Sequence, residues 1–276
     1  MSARLRALAQ QTLAVIDAGE YVAPSGRTVR IDDAIRKAVA GTRIYGPDPL
    51  WPTGVPAAVP GRTTRFEVTG ESSLAAARRL LRADRPVGIL NFASARHPGG
   101  GFLNGARAQE ESLCRASALY ACLLRGRAYY ECHRSHRDAL YSDRVIFSPL
   151  VPVFRDDRGI LLEEPYEVSF LTAAAPNAGV IAREMPEALA QIPMALQARS
   201  AQVLAVAAHE GVQQLVLGAW GCGVFQNSPP EVARAFYTHL GRGGDFADRF
   251  ASVVFAILDP RPDSPTRAAF DEVFSR

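Results

Sequence analysis

The chain has 276 residues, 48% of them hydrophobic and 21% charged, with a formal net charge of +3. That length buries roughly 70 to 75% of the unfolded surface, as one large domain or two small ones. No apolar run approaches the ~20 residues that cross a bilayer, and residues 1–10 lack the apolar core and cleavage site of a secretory signal, so a membrane span is excluded and the cytoplasm is the default location. Cys114, Cys122, Cys132 and Cys222 form no C-x-x-C pair and read as free thiols. The small positive charge gives no strong non-specific affinity for nucleic acid, so no duplex binding is expected. Lys37 is the only lysine; the arginine bias suits phosphates, but a GC-rich genome produces it as well.

In chain order, amphipathic helices are predicted over 2–18 and 31–40. Residues 45–61, with five prolines and three glycines, hold no regular structure and separate this N-terminal part from the remainder of the chain. Residues 1–60 are therefore expected to be an appendage of a single domain spanning 1–276. From residue 62 onward strands and helices alternate. A strand is predicted at 63–68, a helix at 72–82, a strand at 87–93 and a helix at 109–124. Strands come next at 145–147 and 168–172, then a helix at 187–210 open to interruption at Pro193. A strand at 215–217, a helix at 230–240, a strand at 252–258 and a helix at 266–274 close the chain. The runs at 87–93 and 252–258 lack polar alternation, which requires helices on both sheet faces: a three-layer α/β sandwich.

Two glycine-rich turns stand at the ends of predicted strands, where open α/β sheets bind ligands. The first runs from Asn91 to Gly101 and ends Gly99-Gly100-Gly101, three residues whose backbone can approach a ligand closely and turn N–H groups toward an anion. The second contains Trp220-Gly221-Cys222-Gly223-Val224-Phe225 and leads into a helix whose positive end faces it. Neither matches a P-loop or a Rossmann fingerprint. Together they predict a crevice that clamps a pyrophosphate.

Seven residues after the triple glycine, Gln109-Glu110-Glu111 opens a helix. Acids in a first helical turn usually only complement the helix dipole. Here the short intervening loop folds them back beside an anion site, which stability alone does not favour. Neighbouring helix residues diverge by about 100°, so the pair cannot flank one bond as two-carboxylate glycosidases require. One acid that protonates a leaving oxygen and then deprotonates water fits better, with the other gripping hydroxyl groups. A nearby pyrophosphate would stabilise an oxocarbenium-like sugar.

At these residues the sequence resembles the poly(ADP-ribose) glycohydrolases of the compact bacterial type. Gly99-Gly100-Gly101, seven residues, Gln109-Glu110-Glu111 is similar to the family's GGG–QEE signature, and Trp220-Gly221-Cys222-Gly223-Val224-Phe225 to its second phosphate loop. The resemblance spans about residues 62–260, with the N-terminal part similar to the bacterial accessory helices. It implies a macrodomain-like fold with a mixed central sheet, and hydrolysis of ribose–ribose bonds without metal or cofactor. Gly99, Gly100 and Gly101 would form the diphosphate loop, and Gly221, Cys222, Gly223 and Val224 the facing loop. Phe225 would pack beside the ribose or adenine. Glu111 would protonate the leaving oxygen, Glu110 would hold ribose hydroxyls and Gln109 would orient the pair. Where longer relatives carry Asp-Phe-Ala-Asn, this chain has Asn91-Phe92-Ala93-Ser94, so the ribose contact would fall to Ser94, with Asn91 also at the substrate. The tail from Asp259 would close over the adenosine end, with Arg267 placed to limit attack to chain ends. Implied partners are poly(ADP-ribose), ADP-ribosylated proteins and the product ADP-ribose, in a monomeric enzyme of the DNA damage response.

Two alternatives share the fold: a macrodomain that binds ADP-ribose without cleaving it, and a hydrolase of single ADP-ribose units on proteins. Glu110 and Glu111 argue against the first. Cys132, His133 and His136 supply only three candidate metal ligands, with Arg134 and Arg137 beside them, so no metal site is predicted. Cys222 has no histidine within its motif and reads as packing between glycines. His97 reads as a loop residue, Tyr129 and Tyr130 as packing, and Asn177 as a turn former or a ligand contact.

Overall fold

The computed structural model describes residues 2–50, 59, 61–83, 85–136 and 138–275. Most of the proline-rich stretch, at 51–58 and 60, and Arg137 lie outside these residues.

The N-terminal part holds more than two helices. Helix α1 (Ala3–Ala18) starts on a Ser2 cap and ends at Gly19 in the left-handed region. A small hairpin, β1 (Glu20–Val22) with β2 (Thr28–Arg30), leads to α2 (Asp32–Gly41). Strand β3 (Arg43–Tyr45) then pairs antiparallel with the main sheet, so this region supplies an edge strand as well as accessory helices.

The rest alternates. Strand β4 (Arg65–Thr69), α3 (Ser73–Leu80) and β5 (Val87–Phe92) come first. Three short helices succeed them: α4 (Gln109–Ala116), α5 (Leu119–Arg125) and α6 (Arg127–Ser135). A single helix over 109–124 is not formed. Ser117 turns extended and bridges to Val153, Ala118 N–H donates to the Pro152 carbonyl, and the Ser117 hydroxyl donates to the Leu113 carbonyl at 2.7 Å. Strands β6 (Val145–Arg155) and β7 (Leu161–Ala173) form a long hairpin that extends well beyond the short strands predicted there, with register shifts around Pro149 and Leu150. Next come α7 (Ala178–Glu184), capped by the Asn177 side chain, and α8 (Ile192–His209), with Pro193 tolerated in its first turn. Strand β8 (Gln214–Leu217), α9 (Pro229–Leu240), β9 (Ser252–Ala256) and α10 (Pro265–Phe274) complete the chain.

The main sheet has seven strands in the order β3-β6-β7-β5-β8-β9-β4. From β7 to β4 the strands run parallel, while β6 and β3 are antiparallel, giving a mixed sheet. Successive residues enter opposite layers. Ile89, Val216 and Val254 pack with Leu113, Leu119 and Tyr129 on one face. Leu90, Leu217 and Phe255 pack with Leu204, Phe236 and Phe270 on the other. The three-layer α/β sandwich results directly from strands that are apolar on both sides. Among the described residues, no helix is long and apolar enough to cross a membrane.

Candidate active site

The carboxyl ends of β5, β8 and β9 open into a cleft of about 1520 Å³. Its walls include Glu110 and Glu111 at the start of α4, the loop after β8, the segment after β9, and the N-terminal end of α1.

Gln109 fixes α4 to the sheet. Its Oε1 accepts the Phe92 N–H at 2.9 Å, and its Nε2 donates to the Leu90 carbonyl at 2.8 Å and to Ser73 Oγ at 3.1 Å. This bolt places both adjoining acids over the end of β5. Glu110 is 2% exposed; its Oε1 accepts from Asn91 Nδ2 at 3.2 Å and its Oε2 from the Ser94 N–H at 2.7 Å. Burial pushes its pKa up to about 8; the Ser94 and Gly99 amides and the Asn91 amide oppose the shift, and the Glu111 charge adds to it. Glu111 is 7% exposed, accepts the Gly101 N–H on Oε1 at 2.8 Å, and has a buried Oε2 with no hydrogen-bond partner among the described residues.

The triple glycine serves these acids. Gly99 and Gly100 are left-handed, and a Cβ on Gly100 would stand 2.6 Å from Glu111 Oε1 and 3.0 Å from Glu110 Oε2. The Gly100 N–H donates to the His97 carbonyl and the Gly101 N–H to Glu111, so these amides are not open to a diphosphate. The anion nest expected there would have to draw these donors from the turn's own carbonyl and from the neighbouring carboxylate. Asn91 is likewise not at the open surface. It is fully buried, and its Nδ2 is shared between Glu110 and Thr172 Oγ1, so it touches the acid and not the cleft. Ser94 lines the cleft, its Oγ accepting the His97 N–H at 3.1 Å.

The second turn is the open one. Among the described residues the N–H groups of Gly221, Gly223, Val224 and Phe225 have no acceptor, while the turn is closed by the Cys222 N–H on the Ala219 carbonyl and the Asn227 N–H on the Gly221 carbonyl. Gly221 is left-handed, and a Cβ there would meet Asn227 Nδ2 at 2.4 Å. Val224 is 78% exposed and nothing crowds Gly223. Phe225, half-buried, lines the cleft with its ring 6.2 Å from that of Tyr141. Burial pushes the Cys222 thiol up to about 12, which leaves it a protonated packing group.

The remaining candidates fall elsewhere. His133 is buried against Tyr129 and Tyr141, and burial lowers its pKa to about 4. Cys132 and His136 face each other at 3.9 Å on the exposed side of α6, so the three do not converge. Among the described residues no group of three or more His, Cys, Asp or Glu is placed to hold a metal. The Arg267 guanidinium donates to the Pro262 carbonyl at 2.6 Å. Sequence reasoning missed the wall contributed by α1, because its helical period marks only a buried face; the close approach of Gly105 to Ser2 and Arg6 that docks it leaves no pattern in the chain.

A macrodomain-like sandwich with an acid pair and an open-amide turn over the same strand ends defines a class of sugar-diphosphate site. The chain belongs to the microbial-type PARG family, whose catalytic-domain model matches residues 9–156. It is similar over 99% of its length, at 52% identity and a TM-score of 0.94, to the whole chain of poly(ADP-ribose) glycohydrolase (PARG) from Thermomonospora curvata. The same enzyme bound to the inhibitor ADP-HPD matches at 52% identity and a TM-score of 0.91, covering 98% of this chain and 99% of that one. PARG from Deinococcus radiodurans in complex with ADP-ribose matches at 43% identity and a TM-score of 0.80, covering 90% and 98%. No curated protein matches the chain.

Proposed function

We propose that this chain is a poly(ADP-ribose) glycohydrolase that cleaves ribose–ribose O-glycosidic bonds and releases ADP-ribose, with Glu111 as its acid and base. Membership in the PARG family supports the activity. One observation carries the residue assignment. Glu111 stands on the cleft wall with one oxygen held by Gly101 and the other buried and, among the described residues, unpartnered, whereas both Glu110 oxygens are already engaged.

In this reading the open amides of Gly221, Gly223, Val224 and Phe225 hold the diphosphate of the terminal unit, and Phe225 packs beside its ribose or adenine. The terminal ribose then lies over Glu110 and Glu111, with Glu110 and Ser94 at its hydroxyls. As the bond from the anomeric carbon breaks, Glu111 gives its proton to the departing ribose oxygen of the preceding unit. The diphosphate charge stabilises the oxocarbenium-like sugar, and water attacks as the Glu111 carboxylate takes its proton. Burial raises the pKa of Glu110 to about 8, so this side chain stays protonated through the neutral range and adds no negative charge beside the diphosphate. Gln109 and Asn91 position the acids. The glycines of the first turn make room for them.

Poly(ADP-ribose) and ADP-ribosylated proteins are the partners this activity implies, for a monomeric protein acting in the cytoplasm as one domain with its N-terminal part built in. Labelled poly(ADP-ribose) and a protein carrying single ADP-ribose units test the reading. Release of ADP-ribose from polymer, with the protein-linked unit left in place, is expected. Release only from the singly modified protein, or binding without turnover, contradicts it.

A further inference from the structure

The glycohydrolase reading accounts for the terminal ADP-ribose unit but leaves part of the cleft without a use. Its volume of about 1520 Å³ exceeds the ~300–1,000 Å³ of ordinary small-ligand sites. Beyond the carboxylates it runs on past Ala106 and Arg107 to Ser2 and Arg4 of the α1 end and to Arg158 in the β6–β7 turn.

These elements are locked together. The Ser2 N–H donates to the Gly105 carbonyl at 3.3 Å, and a Cβ on Gly105 would lie 2.6 Å from the Ser2 carbonyl oxygen. Arg4 Nη2 donates to the Arg158 carbonyl at 3.2 Å, and Gly159 packs on Leu8. The Arg107 backbone is held from below, since buried Arg115 donates to the Ala106 carbonyl at 2.8 Å.

The side chains on this wall carry excess positive charge. Arg4 and Arg107 are exposed and form no ion pair among the described residues. Of the two acids in the turn, one is paired with a cation and the other, which offsets part of this charge, is not. Asp156 accepts the Arg158 and Ile160 amides and pairs with the Arg158 side chain, and Asp157 accepts the Ser72 hydroxyl.

Cleavage at the terminal unit demands a second ligand here. The departing group is not water or a small alcohol but the ribose of the preceding unit, which carries its own diphosphate. If the terminal diphosphate occupies the 221–225 turn and its distal ribose meets Glu111, the remaining chain must leave by the other side of the carboxylates. We propose that Arg4 and Arg107 form a leaving-group subsite that binds the diphosphate of the ADP-ribose unit preceding the scissile bond. Arginine forks match phosphate oxygens, and a polyanion gains from them in a salt-dependent way. This inference rests on the glycohydrolase reading.

The test separates the two. In a Glu111→Gln background, which holds polymer without turning it over, Arg4→Gln and Arg107→Gln are combined, and the Kd is measured for labelled poly(ADP-ribose) and for ADP-ribose. Both arginines are exposed, so folding is not at issue; thermal unfolding checks it. The polymer Kd is expected to rise about tenfold with the ADP-ribose Kd unchanged. The slope of log Kd against log salt for polymer should become shallower by about one for each phosphate that an arginine no longer neutralises. An unchanged polymer Kd and salt slope overturns the subsite. An equal loss for polymer and for ADP-ribose also overturns it, because the arginines would then serve the terminal unit. Failure of the glycohydrolase reading shows separately, as no ADP-ribose released from polymer by the unmodified protein.

Discussion

Gly101 donates its backbone N–H to Glu111 Oε1 at 2.8 Å, and the same turn leaves Glu111 Oε2 buried without a partner among the described residues. A carboxylate gripped on one oxygen and bare on the other is aimed, and the bare oxygen is where a proton can be given and taken. The triple glycine is needed for this aim because Gly100 touches both acids at once.

Gly100→Ala tests that relationship. The new Cβ would overlap Glu111 Oε1 and sit in a left-handed backbone, at a cost of roughly 1–2 kcal/mol in stability. The acids must shift by a fraction of an ångström or more, and hydrolysis should fall about 100-fold. Steady-state turnover of polymer beside thermal unfolding distinguishes a folded, misaligned site from a collapsed one. Near-normal turnover would show that the glycine is not setting the carboxylate geometry.

Glu110 should leave a signature in the pH dependence of stability. Its pKa is raised from 4.5 to about 8 by burial, so between those values the folded chain holds a proton that the unfolded chain has released. Stability therefore declines as pH climbs through this window, and the loss is complete above about pH 8. Thermal unfolding from about pH 5 to 9 should show a Tm falling by several degrees that Glu110→Gln largely removes. Turnover should decline over the same upper range as Glu110 loses its proton. A Tm slope identical in the variant would contradict the assignment.

Removing one amide from the second turn tests the diphosphate contact. Val224→Pro deletes an N–H that has no acceptor among the described residues, and Val224→Ala keeps it. A hydrogen bond to a charged group contributes about 1.5–3 kcal/mol, so the proline variant should bind ADP-ribose at least about tenfold more weakly while the alanine variant binds normally. Calorimetric titration gives the comparison, and equal affinities would remove the turn from the phosphate site.

Much of this was legible in the chain because the signals were local. The apolar runs around Ile89 and Phe255 required covered sheet faces, and Gly99 to Gly101 with Gln109, Glu110 and Glu111 marked a turn folding acids back over a strand end. What stayed hidden was tertiary. Nothing in the run from Gln109 to Leu124 announces that Ser117 will leave the helix to bridge Val153. Composition and spacing offer no means of telling that the amides of Gly100 and Gly101 are taken by His97 and Glu111 while those of Gly223 and Val224 have no acceptor among the described residues, since both turns look equally permissive. Asn91 likewise reads as a ligand contact until its burial against Glu110 is seen.

The most direct measurement is single-turnover release of ADP-ribose from labelled polymer by Glu111→Gln, with ADP-ribose affinity determined alongside. The glutamine keeps the acceptor for Gly101 but cannot transfer a proton, so release should fall by about two to four orders of magnitude while ADP-ribose binding persists. Release within a few-fold of the unmodified protein would show that the proton comes from elsewhere, and the assignment of Glu111 would fail.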